Sequence, residues 1–545
     1  MKTLLAILLL PLCVAALVLV AVIDVVWLGG RKLREVWRCD CARCRWIYLI
    51  PVLLATSAFG QGYNPTNATT LFTSKPLHIF SAGQTVVVSN GLGGAITLYT
   101  ASNTVVATGT GTVSANGVAP GWYYAQSSSD KLAVTVLPSG YGTPSWWGDN
   151  GWWIRFPGTP VTQTWWKVWD AAWEYNCTNW TFTDAISTNM AALLIIHDGS
   201  PCNTTNDATA WLAAYKQYAS NMLVRVRANG VPIYGVIPVN EPGPSKFTVA
   251  DWIPVLKGCI DATKQILTDI NLNVPIVAPD WWSYNGYGST RTLEASNGFV
   301  NVTKNGYHDY EMAFYPPDVT TPGHLSIPER VTTNKVGSLP LWVDEIGIGG
   351  TDSLGYPMTG TDPALTNDWR IGYRRAMKTA LLYRAAGVER LHTHELAGGS
   401  YAFTSDTVHH GLEPNGRGLQ ARTAAWFATL NRMKHWTTIT TNFTGNTWTV
   451  TGYDTNLNQT ISATWRTEGS GTGALPSGAT DVWGNTMGGL LADEVAFFRN
   501  PVGGGSGALV VTNYITTNYV VYVTNTVTRC YSVDRYGRKK LITCP

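Results

Sequence analysis

The chain has 545 residues, 45% of them hydrophobic and only 13% charged, which excludes a disordered polar chain and leaves room for roughly two to four domains. The net charge is +3, and Arg31, Lys32, Arg34, Arg38, Arg43 and Arg45 supply the excess locally, so the rest is near neutral. No basic surface marks a nucleic-acid partner.

Leu4 to Ile23 carries no charge and is long enough to span a bilayer, and the basic loop after it is expected to stay cytoplasmic. "WIYLIPVLLATSAFGQG", Trp46 to Gly62, has the order of a signal peptide: arginines, a short apolar core, then small residues at Ala58 and Gly60. Residues 1–60 are therefore read as a leader, with export and cleavage near Gly60. A membrane tether that keeps both apolar segments is the alternative, and so is a start downstream of Met1. Either way the bulk of the chain is extracytoplasmic, secreted or membrane-anchored.

Of nine cysteines, Cys13, Cys39, Cys41 and Cys44 fall in the leader, where "CDCARC" lacks the partner cluster that a metal site requires. An exported chain can oxidise Cys177 with Cys202 and Cys530 with Cys544, which leaves Cys259 as a buried thiol on a helix.

Residues 61–75 are Thr/Asn-rich and read as a linker. From 76 to 138 short alternating runs ("QTVVVSN", "AITLYTA", "TVVATG", "GWYYAQSS", "LAVTVLP") are separated by turn residues, the pattern of an immunoglobulin-sized β-sandwich. Between 139 and 434 the period changes. Helices are expected at Asp207–Asn229, Val249–Ile270 and Asn367–Ala386. Strands are expected at "WWIRFPG", "ALLIIHDG", "PIYGVIPVNEP", "VPIVAPDWW", "GYHDYEMAFY", "PLWVDEIG" and "VERLHTHEL".

This βα alternation predicts an α/β fold, a (β/α)8 TIM barrel whose first strand lies near Leu132–Pro138 or in "YGTPSWWGDNG". A doubly wound sheet is the alternative, but the Gly-rich phosphate turn expected after an early strand is missing. Residues 435–502 return to β ("WTVTGYD", "QTISATWRT", "ATDVWGN", "EVAFFRN"), so N-terminal and C-terminal β-sandwich domains flank the barrel. Residues 503–545 open on the linker "GGGSG" and end in a β-rich tail to which no role is assigned.

Chemistry in such a barrel sits where strands run into the following loops. Reading strand ends in order gives Arg155, His197, Asn240 with Glu241, Asp280 with Trp281 and Trp282, His308 with Tyr310, Glu345, and His394. Any one strand end is polar by default; the recurrence along the set carries the reading. Glu241 and Glu345 each end an apolar strand. Asp344 precedes Glu345, and alternation along a strand lets only one of them face the barrel mouth, taken to be Glu345. Two carboxylates across a cleft are what glycosidic cleavage needs, one protonated to assist the leaving oxygen and one ionised to attack the anomeric carbon. The 24 Trp and 25 Tyr include pairs such as Trp146–Trp147, Trp152–Trp153, Trp165–Trp166 and Trp281–Trp282 that are hard to bury together, so some are expected to line a sugar-binding groove.

"VNEP" on one strand and "WVDEIG" three strands later resemble the clan A retaining glycoside hydrolases. "IRFPGT" is similar to that clan's second strand, "TNWTFTDAIS" to the segment before its third, "YHDYE" to its sixth-strand His-x-Tyr pair, and "ATDVWGN" with "EVAFFRNP" to its appended sandwich. The resemblance covers about residues 140–500. It implies Glu241 as acid/base, Glu345 as nucleophile, and Asn240 as donor to the sugar 2-hydroxyl. It further implies Arg155 beside Glu345, Tyr310 on the nucleophile, His308 on the sugar or Glu241, and Trp281 or Trp282 as a stacking face. His197 and His394 are taken from their strand-end positions as further sugar contacts, with plain packing the alternative for His394. No cofactor is implied, and the partner is a carbohydrate. "VDE" replaces the usual small residue before the nucleophile, and "HTHE" lacks a closing Trp; these departures leave the particular family and the sugar open.

Two other readings are open on the sequence. One is a non-catalytic carbohydrate-binding or surface protein on a glycosidase-like barrel. The other is a metal-dependent barrel hydrolase, because His392 and His394 form an HxH on one strand.

Overall fold

The structure is a computed structural model. It describes residues 70–128, 130–150, 165–168, 191–197, 207–242, 247, 249–279, 298–309, 316–320, 325–335, 337–347, 369–394, 397–398, 413–414, 418–419, 421–499, 519–524, 527–533 and 539–542. The chain divides into two compact units, Met1–Ala68 with Ser74–Pro76, and Thr69–Thr73 with Leu77–Pro545. All elements below belong to the second. The leader and most of the linker lie outside the described residues, and among these no helix is long and apolar enough to cross a membrane.

The first strands are β1 (Leu71–Phe72), β2 (Ile79–Ser81), β3 (Val86–Asn90), β4 (Ala95–Thr100), β5 (Val105–Thr110), β6 (Thr112–Ala115), β7 (Gly121–Gln126) and β8 (Lys131–Leu137). They form a three-stranded sheet, β1-β3-β6, and a five-stranded sheet, β2-β8-β7-β4-β5. Alternating burial along β3 marks an inner and an outer face. Leu71, Val88 and Val113 of one sheet share a buried core with Phe80, Leu98 and Val134 of the other. The five strands legible in the sequence are β3, β4, β5, β7 and β8; β1, β2 and β6 are too short to show a period.

Next come β9 (Trp147–Asn150), β10 (Trp165–Val168), β11 (Ala191–His197), β12 (Ile233–Val239), β13 (Asn305–Asp309), β14 (Leu341–Gly347) and β15 (Arg390–His394). They make one sheet in the order β12-β11-β10-β9-β15-β14-β13, with every pairing parallel. Single parallel bridges join Val236 to Ile276 and Val277 to Lys304, linking β12 through Ile276–Val277 to the residue before β13. The arrangement fits an α/β barrel. Of the two positions considered for the first strand, the later is the one observed, Trp147–Asn150. The second position belongs to Trp165–Val168, a strand the periodicity did not single out; "WWIRFPG" lies outside the described residues.

The helices are α1 (Ala208–Ala228), α2 (Val249–Asp269), α3 (Ile327–Asn334), α4 (Trp369–Ala385) and α5 (Ala421–Met433). Helix α1 follows directly from its sequence. Asp207 Oδ1 accepts from the Ala210 amide at 2.7 Å, Arg225 and Arg227 sit in the last turn, and Gly230 leaves the helix at φ 69. Trp211, Tyr215, Tyr218, Met222 and Val226 recur at helical spacing and are buried, and the face they form packs on α2, where Tyr215 Oη and Thr263 Oγ1 are 2.8 Å apart. Cys259 of α2 is buried in the same layer. Cys177, Cys202, Cys544 and the side chain of Cys530 lie outside the described residues.

Inside the sheet, Leu193, Ile195, Ile237, Val277 and Trp342 form a separate apolar cluster. A side chain at Gly235 would meet Leu193 Cδ1 at 3.1 Å and Trp342 Cζ3 at 3.2 Å, so the glycine leaves its space to the indole. The expectation that Trp146 and Trp147 resist burial together is corrected. Both are buried, Trp146 beneath the Arg384 guanidinium at 4.6 Å and Trp147 edge-on to Phe427 of α5 at 5.5 Å.

A short parallel pair, β16 (Ala397–Gly398) with β17 (Glu413–Pro414), precedes α5. After it, β18 (Trp436–Thr444), β19 (Thr447–Asp454), β20 (Gln459–Arg466) and β21 (Ala496–Arg499) form a four-stranded antiparallel sheet in chain order. "ATDVWGN" is not a strand but a turn region, bridged at Thr480 to Thr486 and Phe497. The strands β22 (Tyr519–Thr524), β23 (Val527–Val533) and β24 (Lys539–Ile542) form a last antiparallel sheet.

The four-stranded sheet is fastened to α4 through buried polar groups. Lys378 Nζ lies 3.0 Å from Asp318 Oδ2, close enough to pair though not aligned as a hydrogen bond, and both side chains are fully buried. The Trp465 indole donates to the same Oδ2 at 2.8 Å, and that of Trp483 donates to Tyr373 Oη at 2.9 Å. Removing one member of a buried ion pair strands the other. Asp318→Ala is therefore expected to destabilise the protein by about 3–5 kcal/mol, read as a lower denaturation midpoint, while Asp493→Ala on the partly exposed Arg374 pair changes it by less than about 1 kcal/mol.

Candidate active site

The strand register lines up one rim of the sheet. His197 pairs with Val239, Gly347 with His394, and His394 with Asn150, so the C-terminal ends of β9, β11, β12, β14 and β15 lie side by side. Asn240 and Glu241 follow β12 directly at this rim. Glu241 has φ 41, a left-handed backbone that few non-glycine residues adopt. The chain therefore turns sharply where the carboxylate is presented.

Three side chains from distant parts of the sequence meet there. His308 of β13 is fully buried, and its Nδ1 lies 2.7 Å from Glu241 Oε1. Its Nε2 lies 3.4 Å from Asp344 Oδ2 and 3.5 Å from Glu345 Oε2. One ligating atom each from Glu241, His308 and Glu345 all fall within 4.8 Å of one another. Glu345 and Asp344 are each 1% exposed, whereas the Glu241 side chain keeps 32%. One carboxylate is thus enclosed and the other open to an incoming group. Asn240 is 5% exposed, and its Oδ1 meets no hydrogen-bond partner among the described residues.

The alternation rule that assigned only Glu345 to this face needs correction. Between β13 and β14, Tyr307 pairs with Val343 and His308 with Glu345, so Asp344 is skipped; on the other side of β14 Val343 pairs with Leu391 and Ile346 with Thr393. Asp344 and Glu345 together oppose the single residue His392. An extra residue in one strand rotates the side chains that follow, and both carboxylates reach His308. Asp344 is held further by the Tyr307 amide, which donates to Oδ1 at 2.9 Å. Gly306 gives it room, because a side chain there would come within 2.5 Å of Ala278 O and 3.3 Å of Asp344 Oδ1. The only sequence signal for Asp344 was the unusual pair of adjacent acids in an apolar run.

Of the other expected site residues, Arg155, Trp281, Trp282 and Tyr310 lie outside the described residues, as do the side chains of His197 and His394, whose backbones end β11 and β15. The His392 imidazole is buried, hydrogen-bonded through Nε2 to Tyr234 Oη and stacked with the Tyr234 ring. Burial holds the Tyr234 phenol well above its ordinary range, the Arg390 charge opposing this and Asp344 reinforcing it. Tyr234 is accordingly a neutral donor or acceptor in the sheet interior.

A parallel α/β sheet with one carboxylate following β12 and another within β14, brought together at one rim, defines a class, and comparison with solved structures agrees on the fold. The chain has the clan A glycoside hydrolase fold. A family 39 glycoside hydrolase from the gut symbiont Bacteroides cellulosilyticus WH2 superposes with TM-score 0.53 at 14% identity, covering 78% of this chain and 98% of that one. A looser match is a glycoside hydrolase family 30 subfamily 8 xylanase from Clostridium acetobutylicum, with TM-score 0.38, 12% identity and coverage of 66% and 94%. No protein-family model matches the sequence, and no curated protein does.

Proposed function

We propose that this protein is a retaining β-glycosidase that cleaves β-linked poly- or oligosaccharides, exported by the leader read in residues 1–60. The finer architecture in this reading is a (β/α)8 barrel with Ile276–Val277 as its fifth strand, flanked by the two β-sandwich domains expected from the sequence. One observation carries the mechanism: carboxylate oxygens of Glu241 and Glu345 lie within 4.8 Å of each other. A pair about 5–5.5 Å apart suits attack by one carboxylate on the anomeric carbon, whereas inversion needs about 6.5–9.5 Å to admit a water.

Glu345, enclosed and ionised, attacks C1 while protonated Glu241 gives its proton to the departing oxygen. The C1–O bond breaks, and a glycosyl ester forms on Glu345. Water then attacks C1, Glu241 takes its proton, and Glu345 leaves as carboxylate. Asn240, buried beside Glu241, hydrogen-bonds the sugar 2-hydroxyl, a contact that strengthens as the oxocarbenium ion develops.

The test incubates the full chain with aryl β-glycosides and with xylan, mannan and glucan, and follows the first product by proton NMR. The β-anomer is expected to appear first. An α-anomer would sink the retaining mechanism, and sugar binding without cleavage would make this a carbohydrate-binding protein. Loss of activity to a chelator, restored by metal, would favour the metal-dependent reading instead.

A further inference from the structure

His308 has carboxylates at both ends of its ring. Ionised carboxylates only accept hydrogen bonds, so the nitrogen that faces two of them, Nε2, carries a hydrogen. In the neutral ring Nδ1 is then an acceptor, and its 2.7 Å contact with Glu241 Oε1 needs a proton on the glutamate. That is the form a general acid must have before it acts. Of the two groups at Nε2, Glu345 loses its charge when it becomes a glycosyl ester. Asp344 takes no part in that bond and keeps its charge through both half-reactions.

We propose that Asp344 is a positioning residue that fixes the Nε2–H tautomer of His308 and so keeps the proton of the His308–Glu241 contact on Glu241. This rests on the glycosidase reading above. Asp344 suits the task because its other oxygen is tied to the Tyr307 amide, one residue before His308, and because it is 1% exposed, so water does not compete for it. The strand irregularity at Asp344–Glu345 serves the same end, bringing a second acid to a histidine that regular alternation would give only one. Among the described residues, the charged groups Glu241 after β12 and Asp344 and Glu345 of β14 stand against the ring; Tyr234 and His392 pair with each other in the sheet.

The experiment has two arms. In the first, the full-length wild-type chain is labelled with 15N-histidine and the His308 signals are assigned by their loss in His308→Gln. The proposal expects a protonated Nε2 and a bare, hydrogen-bonded Nδ1 at neutral pH, and a shift of both signals in Asp344→Asn, whose amide can donate to Nε2 and drive the hydrogen to Nδ1. A bare Nε2 in the wild type overturns it, and so does a ring protonated at both nitrogens, since that would leave Glu241 as an ionised acceptor. In the second arm, Asp344→Asn is assayed on 4-nitrophenyl and 2,4-dinitrophenyl β-glycosides. Enforcing the wrong tautomer should slow the poorer leaving group at least about tenfold more than the better one, and shift the limb of the pH–rate profile set by the acid. Equal losses on both substrates with an unmoved pH profile would reduce Asp344 to a structural role. If no aryl glycoside is cleaved by the wild type, the glycosidase reading fails, while the tautomer measured in the first arm still decides whether Asp344 holds His308.

Discussion

Glu345→Ala is expected to lower kcat/KM by about 10⁴-fold or more, close to 5 kcal/mol of transition-state stabilisation, with the fold retained. The size follows from the role. Without an attacking carboxylate the covalent route is closed, and the remaining groups can only polarise the glycosidic bond. The decisive readout is rescue. Azide added to Glu345→Ala can occupy the space of the missing carboxylate, attack C1 directly and give a glycosyl azide of inverted configuration. Recovery of activity with that product identifies Glu345 as the nucleophile. Failure of the substitution to reduce activity, or a rescued product of retained configuration, removes Glu345 from the mechanism. The site itself supports the choice of residue: Glu345 is enclosed, has a carboxylate oxygen within 4.8 Å of one of Glu241 and faces His308 Nε2.

Glu241→Gln is expected to cost about 10²–10⁴-fold on substrates with poor leaving groups, the range a single positioned acid or base contributes. A 2,4-dinitrophenolate departs without protonation, so the glycosylation step with that substrate should be nearly unchanged. The glycosyl ester then accumulates, because no base activates water, and a burst of phenolate precedes a slow steady state. The pH–rate profile should lose one limb. Equal loss on good and poor leaving groups would show that Glu241 binds sugar without transferring a proton. A second consequence distinguishes this residue from Glu345. The side-chain amide that Glu241→Gln introduces can still meet His308 Nδ1, so this substitution should perturb the rest of the site little, as the wild-type contact of 2.7 Å is a single hydrogen bond.

Much of this was legible in the chain before folding. Asp207 announces helix α1, and the run from Ile233 to Val239 announces a strand that ends in an amide and an acid. The order Asn240–Glu241, His308, Glu345 along successive strands points to one rim. Strand β10 was not legible, because "WWKV" is four residues long and shows no period. The strand expected at "VPIVAPDWW" is observed only as single parallel bridges at Ile276 and Val277, the rest of that segment beyond Pro279 lying outside the described residues. The burial of Trp146 and Trp147 is not legible along the chain because their partners, Arg384 and Phe427, lie more than two hundred residues away.

The sequence by itself determined which residue types stand at the strand ends, since period and turn chemistry are local properties of the chain. Only the tertiary structure decided that Glu241 and Glu345 approach within 4.8 Å and that Asp344 joins them at His308. Those outcomes depend on the parallel register of β13, β14 and β15 and on one residue that the register skips. Register is a balance of contacts between strands far apart in sequence, and no window along a single strand contains it.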